Sequence, residues 1–337
     1  MSLIGGGDTS GERIYLWDNI KFLLIVLVVV GHFADRFTEV SNTFRSLFLF
    51  IYAFHMPLFM FVSGLFHTDR HILSKCVYYT SVGFVVKILI ALATRCSGGD
   101  LFFSLLSDDG IPWFMFALAG YITVTYILRN QNKKYILLAF VVLALFVGYD
   151  HSVGDYLYLS RFIVFYPFYL LGNILKSPGI ISFKNRYHFL WIPSAGIILA
   201  WVFLCLRHLD SFYIFRGLFT GRNPFYEGLP FEGAISRLIT YGITLILCIA
   251  IVLLAPDREI FVVSEGGKNT LQVFVWHWPI FVLLNRYLHI SELFYVGTFG
   301  KIIFLLIGAL LAVLLATIPI FSFPMKQIKD AIFKPGK

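Results

Sequence analysis

Three residues on one apolar stretch supply the groups that acid–base chemistry needs: a carboxylate at Asp18, an ammonium at Lys21 and an imidazole at His32. At 100° per residue, the eleven steps from Lys21 to His32 return to within about 20°, and the fourteen from Asp18 to within about 40°. On a helix the three therefore share one face, and the rest of the stretch is mostly Ile, Leu and Val. Each charged group costs roughly 2.5–3.5 kcal/mol near the centre of a bilayer-spanning helix, so such a helix turns its polar face into a bundle or a wet cavity. Histidine is the usual general base for activating a hydroxyl, and a nearby acid or base tunes or orients it. The plainer readings are an interhelical hydrogen bond at His32 and a neutralising ion pair between Asp18 and Lys21 at a three-residue helical spacing. No serine-centred elbow, phosphate loop or metal-ligand cluster competes with this stretch, so the chemistry it offers is base-assisted transfer without a metal.

Further residues extend the candidate site. His55 sits mid-span in Phe54-His55-Met56-Pro57, where the proline frees a backbone carbonyl, and a kink with a structural histidine is the alternative. Ser63-Gly64 reads first as a close helix contact and second as a ligand position. Trp113, after Pro112, is an interface anchor or a ligand contact. Arg161 enters an apolar segment and must find a carboxylate, carbonyls or an anionic ligand. His277, in Trp276-His277-Trp278-Pro279, repeats the histidine-then-proline break. Arg237 and Lys301 lie near span ends and are expected to snorkel to the interface.

The elements that must position these groups are transmembrane helices. Hydrophobic residues make up 58% of the 337 and charged residues only 14%, far below the quarter expected of a soluble domain. Ten apolar runs are expected as spans, at roughly 17–33, 45–66, 76–94, 111–128, 135–148, 156–175, 189–206, 235–255, 269–288 and 299–321. The fifth is short enough to be tilted or partly interfacial. With ten spans both termini lie on one side. Placing them in the cytoplasm puts Arg13, Arg70, Lys75, Arg129, Lys133, Lys134, Lys176, Lys184, Arg186, Arg258, Lys268, Lys326, Lys329, Lys334 and Lys337 inside. Arg36, Arg45, Arg95, Arg207, Arg216, Arg222 and Arg286 then lie outside, about fifteen against seven, as the positive-inside rule prefers. The expected organisation is a polar segment at 1–16 without the pattern of a removable signal, a membrane domain at 17–323 and a basic cytoplasmic tail at 324–337. The longest connections, about 207–234 and 95–110, fall outside, and the first is rich enough in Arg, Gly, Pro and aromatics to cover a binding mouth. The net charge of +8 is dispersed over short loops with no basic stripe, which argues against nucleic acid. The four cysteines lack metal-type spacing and read as packing residues.

Asp18-Asn19-Ile20-Lys21, followed ten residues later by Gly31-His32-Phe33, resembles the first helix of the membrane acyltransferase-3 family, in its branch of fucose 4-O-acetylases and other polysaccharide O-acetyltransferases. Much of that family carries arginine where this chain has Lys21; the lysine marks the branch, and it acts as a point charge rather than a bidentate fork. The similarity continues through Phe54 to Gly64, Pro112-Trp113-Phe114, Arg161 to Gly172, and Gly267-Lys268-Asn269-Thr270 to His277-Trp278-Pro279. It implies an all-α integral membrane protein, a single bundle of about ten transmembrane helices in a bacterial-type cytoplasmic membrane. It further implies transfer of an acyl group, usually acetyl from cytosolic acetyl-CoA, to a hydroxyl of a cell-surface polysaccharide or its lipid-linked precursor, with membrane lipid around it. In that picture His32 is the catalytic histidine, Lys21 holds anionic CoA or stabilises developing charge, and Asp18 orients Lys21. His55, Ser63, Trp113, Arg161 and His277 fall on substrate-binding positions. Homo-oligomerisation stays open.

Two rivals come from other classes. A transporter or flippase of a lipid-linked glycan would use the same polar stripe as a path, although duplicated halves and matched broken helices are not evident in the sequence. A scaffold subunit would keep the charges for structural pairing alone.

Overall fold

The computed structural model describes residues 13–101, 103–107 and 110–334. The polar segment before Arg13 and the last three residues of the tail, on which the readings of signal and tail partly rest, lie outside the described residues, as do Asp108 and Asp109. Sixteen α-helices follow one another among the described residues, with one isolated antiparallel bridge between Ser107 and Tyr156 and no strand. They are α1 (Tyr15–Asp35), α2 (Asn42–Tyr52), α3 (His55–Leu65), α4 (Ile72–Cys96), α5 (Trp113–Ile127), α6 (Lys133–Phe146), α7 (Leu159–Leu175) and α8 (Ser177–Arg186). Then come α9 (Trp191–Arg207), α10 (Leu209–Tyr213), α11 (Arg216–Phe219), α12 (Gly233–Leu254), α13 (Phe261–Gly266), α14 (Thr270–Leu288), α15 (Gly297–Thr317) and α16 (Met325–Phe333).

A helix lies on every apolar run identified in the sequence. Six helical segments are long and apolar enough to cross a membrane: Tyr15–Asp35, Asn42–Leu65, Ile72–Cys96, His188–Arg207, Gly233–Leu254 and Gly297–Thr317. An apolar helix satisfies every backbone group internally, which is why such runs form helices in lipid. The protein is thus an all-helical integral membrane protein.

The expected span at 45–66 is two helices. It breaks at Ala53 and Phe54, before Pro57, which then occupies the first turn of α3 where its missing N–H costs nothing. The carbonyl that Pro57 leaves without a helical donor, that of Ala53, accepts from Thr244 Oγ1 of α12 at 2.6 Å. His55 Nδ1 meets the Ile51 carbonyl at 2.9 Å across the break.

Two glycines set how closely the bundle closes. A Cβ on Gly64 of α3 would lie 1.9 Å from the Tyr169 carbonyl oxygen of α7, and one on Gly172 of α7 would lie 2.1 Å from the Phe61 oxygen of α3. The backbones of α3 and α7 touch through facing glycines, the small-residue packing that membranes favour. The contact expected of Ser63-Gly64 is therefore present, and its partner is Gly172.

Arg237 does not snorkel. It is fully buried on α12, where Nη1 donates to the Leu218 carbonyl at 2.9 Å and Nη2 to Asn223 Oδ1 at 2.8 Å. Its two Nη groups donate to the connection between α11 and α12, a requirement that outweighs the pull of the interface.

Candidate active site

The site begins on α1. Asp18 and Lys21 form the expected ion pair at 2.8 Å, both nearly inaccessible. Asp18 also takes a second cation: Arg13 Nε donates to its other carboxylate oxygen at 2.7 Å. Arg13 reaches on to Glu265 at 2.8 Å and to the Ser264 carbonyl at 2.6 Å, tying α1 to α13. Lys268 pairs with the same Glu265 at 2.6 Å, and the hydrogen bonds from Lys268 and Arg13 hold the Glu265 carboxyl below its usual range. Gly267 closes this latch, since a Cβ there would meet the Asp18 carbonyl oxygen at 2.0 Å. Arg13 and Glu265 carried no signal in the sequence, because they are 252 residues apart and outside the apolar periodicity.

Eleven residues along α1, about 16 Å away at 1.5 Å per residue, stands His32. It does not touch Asp18 or Lys21. Its neighbours are the imidazole of His277, with ring centroids 5.5 Å apart, the Trp278 indole at 5.6 Å, and the Tyr52 hydroxyl 3.5 Å from Nδ1. His277 Nδ1 lies 2.9 Å from the Val273 carbonyl and 3.0 Å from that of Phe274. Carbonyls only accept, so Nδ1 carries the proton and Nε2 is left as an acceptor. That Nε2 is buried and lacks a protein partner.

Two chambers meet at His32. The first, a narrow passage with about 750 Å³ of empty space when the open solvent at its mouth is included, runs from Lys21 along Ile25 and Val28 of α1 and is walled by Met56, Phe59, Val62 and Ser63 of α3, Trp113, Phe114, Met115 and Leu118 of α5, and Thr270, Leu271 and Phe274 of α14. A small cleft at Ser63 and Leu118 continues it towards His67, Thr68 and Lys75. Burial keeps His67 below the usual imidazole range, and its Nδ1 sits 2.7 Å from the Tyr169 hydroxyl. The second chamber, with about 1100 Å³ of empty space when the open solvent at its mouth is included, lies beyond His32 and is lined by Asp35, Tyr52, His55, Arg161, Phe165 and Trp278, together with Arg216, Gly217, Phe219, Thr220 and Arg222 of the connection expected to cover a binding mouth. His32, Met56, Ile111 and Trp113 line both chambers.

Each candidate site residue has a definite place in this layout. Lys21 and Ser63 are in the first chamber, His55 and Arg161 in the second, and Trp113 and His32 between them. Trp113 is buried rather than standing at an interface, and the Arg161 guanidinium lies 5.0 Å above its ring. Ser63 Oγ donates to the Phe59 carbonyl at 2.9 Å. His277 touches the His32 ring but lines neither chamber, while Tyr52, Trp278, Arg216 and Arg222 belong to the second chamber and were not among the sequence candidates.

No solved structure matches this chain. Among curated proteins it is similar to Nodulation protein NolL of Sinorhizobium fredii (strain NBRC 101917 / NGR234), 27% identical over 305 residues that cover 82% of this chain and 80% of the relative. It is also similar to Nodulation protein NolL of Mesorhizobium japonicum (strain LMG 29417 / CECT 9101 / MAFF 303099), 24% identical over 235 residues covering 62% and 57%. The acyltransferase-domain family matches residues 14–320, from just after Arg13 to just past the end of α15 and so across both chambers. The chain belongs to the membrane acyltransferase-3 family and is an acyltransferase.

Proposed function

We propose that the protein is a membrane O-acetyltransferase that carries acetyl from cytosolic acetyl-CoA to a hydroxyl of a cell-surface polysaccharide or its lipid-linked precursor, with His32 as the base. The observation that carries this reading is the position of His32 as a wall of two chambers of unlike chemistry. A thioester arm is slender, with short methylene stretches between its amides and an anionic head, and the first chamber supports that shape: a narrow course between side chains, the Lys21 ammonium at its far end, and a cleft opening towards Lys75. A sugar prefers aromatic faces and hydrogen-bonding groups, which the second chamber offers in Trp278, Tyr52, Asp35 and its arginines.

In this reading ten helices cross the bilayer with both termini in the cytoplasm, so the Lys21 end faces the donor and the arginine chamber opens to the opposite side. Lys21 attracts the anionic head of CoA. Asp18 positions that ammonium and offsets its burial, and Arg13 and Glu265 hold Asp18. At about 16 Å, Lys21 is too far from His32 to stabilise charge at the reacting carbon, which leaves donor binding as its role. His32 takes the proton of the acceptor hydroxyl as its oxygen attacks the thioester carbonyl; a C–O bond forms, the C–S bond breaks, and the sulfur leaves as thiolate. Trp113 and Met56 fill the junction beside His32 and keep water from the thioester.

The test uses purified protein and isotope-labelled acetyl-CoA with the host's surface glycan as acceptor. Release of CoA together with label on the glycan is the expected result. Neither CoA binding nor turnover, in folded protein given a competent acceptor, would overturn the reading and favour a lipid-linked glycan transporter.

A further inference from the structure

The second chamber has a basic rim built on an unusually fixed connection. Arg216 and Arg222 both line it, one on α11 and the other three residues after its end. The backbone between them is held from two helices: buried Arg237 of α12 donates to the carbonyls of Leu218 and Arg222, and buried Ser160 of α7 donates to the Gly221 carbonyl at 2.6 Å. Gly221 has φ +74°, and a Cβ there would press on the Phe165 ring at 2.6 Å, so the turn is both left-handed and tightly seated. A buried guanidinium is costly to desolvate, and here its Nη groups hold a loop.

The guanidinium of Arg216 is held by the Tyr213 hydroxyl at 3.0 Å and lies over the Phe48 and Tyr213 rings. Its carboxylate neighbour, Glu39 at 3.4 Å, has an 83% exposed side chain, so solvent screens the pair and an incoming anion can displace it. Arg222 is exposed on the rim. Among the described lining residues the carboxylate facing them is Asp35. Two arginines on a preorganised turn match the planar, bidentate recognition of carboxylate or phosphate.

We infer that Arg216 and Arg222 form an anion subsite for the acceptor, so that the acceptor bears a carboxylate or a phosphate while its reacting hydroxyl reaches His32. This rests on the second chamber being the acceptor chamber. The anion has two chemical sources, a uronate-type carboxylate on the glycan or a diphosphate on a lipid carrier.

Calorimetric titration of the purified full-length protein separates them, using hyaluronan tetrasaccharide against neutral chitotetraose, and farnesyl diphosphate against farnesol. One anionic probe is expected to bind about 10- to 100-fold more tightly than its neutral counterpart, and the pair that shows the preference identifies the source. The preference should fall to within about threefold in Arg216→Gln/Arg222→Gln and in Arg222→Gln alone should drop part of the way, with Arg216→Lys/Arg222→Lys recovering part of the loss. Arg222 is exposed, so the single variant guards against misfolding of the double. Equal binding of charged and neutral probes, binding of no anionic probe, or a preference that survives the double Gln variant would each overturn the subsite. Acetyl-CoA turnover is scored separately. An anion preference without any turnover would remove the transferase reading and leave the site, whereas turnover without the preference would remove the site alone.

Discussion

The two chambers on either side of His32 differ in nearly every physical respect. The first is walled by aliphatic and aromatic side chains with one ammonium at its far end; the second collects Asp35, Tyr52, His55, Arg161, Arg216 and Arg222 around aromatic faces. An apolar tube with a charge at its end suits a long, slender molecule with an anionic head, whereas a wide polar bowl suits a multiply hydroxylated one. Two substrates that differ this much in solvation can be brought to one imidazole while sharing only the junction of His32, Met56, Ile111 and Trp113. The division also locates the costs: the first chamber has a buried ion pair to satisfy, and the second a loop to hold.

Substitutions that act on one chamber and not the other are the way to break or sharpen this contrast. The largest effect is expected of Asp18→Asn, which removes the carboxylate shared by Lys21 and Arg13 and leaves a buried ammonium uncompensated. Such losses run to about 3–5 kcal/mol. Thermal unfolding in detergent should show it as a marked drop in Tm, with donor binding weakened in the fraction that stays folded. Gly64→Val should follow at about 1–3 kcal/mol or more, because its Cβ collides with a backbone carbonyl that cannot move aside. Since α3 lines both chambers, donor and acceptor binding should fail together, which distinguishes a packing defect from a chamber defect.

Lys21→Met keeps the bulk and removes the charge. The KM for acetyl-CoA is expected to rise about 10- to 100-fold with the KM for the acceptor little changed, as measured by initial rates against each substrate. A parallel rise in both would mean that the chambers are not separate. The smallest effect belongs to Glu265→Gln in the latch. The folded-state pKa of Glu265 is depressed below its usual 4.5, so its contribution is present above that value and fades as pH falls through the depressed one. Its partners are partly exposed, which limits the contribution to about 1 kcal/mol or less. The Tm gap between wild type and variant should be visible at neutral pH and close in acid.

Local rules made a definite part of this legible in the sequence. Helical periodicity put Asp18, Lys21 and His32 on one face, and the i,i+3 spacing gave the ion pair. Pro57 announced a freed carbonyl, which Thr244 fills. The rest depended on which helix packs where. His277 is 245 positions from His32 in the chain, and only the seating of α14 against α1 brings the rings to 5.5 Å. Arg237 looked like an interfacial residue because periodicity shows how deep a residue sits on its own helix, not which loop folds over it. Arg216 and Arg222 lay in a connection without period, where composition suggested a cover but could not say which side chains turn inward.

The central claim is that His32 does chemistry at the meeting point of two substrate chambers, and His32→Ala tests it most directly. Purified wild type and variant would be compared for folding, for acetyl-CoA binding and for transfer of labelled acetyl to the glycan. The expected result is a folded variant that binds acetyl-CoA as wild type does and transfers label about 10²- to 10⁴-fold more slowly, the usual contribution of a general base. Transfer at a near-normal rate by the folded variant, or a loss of rate matched by loss of fold, would contradict it and leave His32 a packing residue.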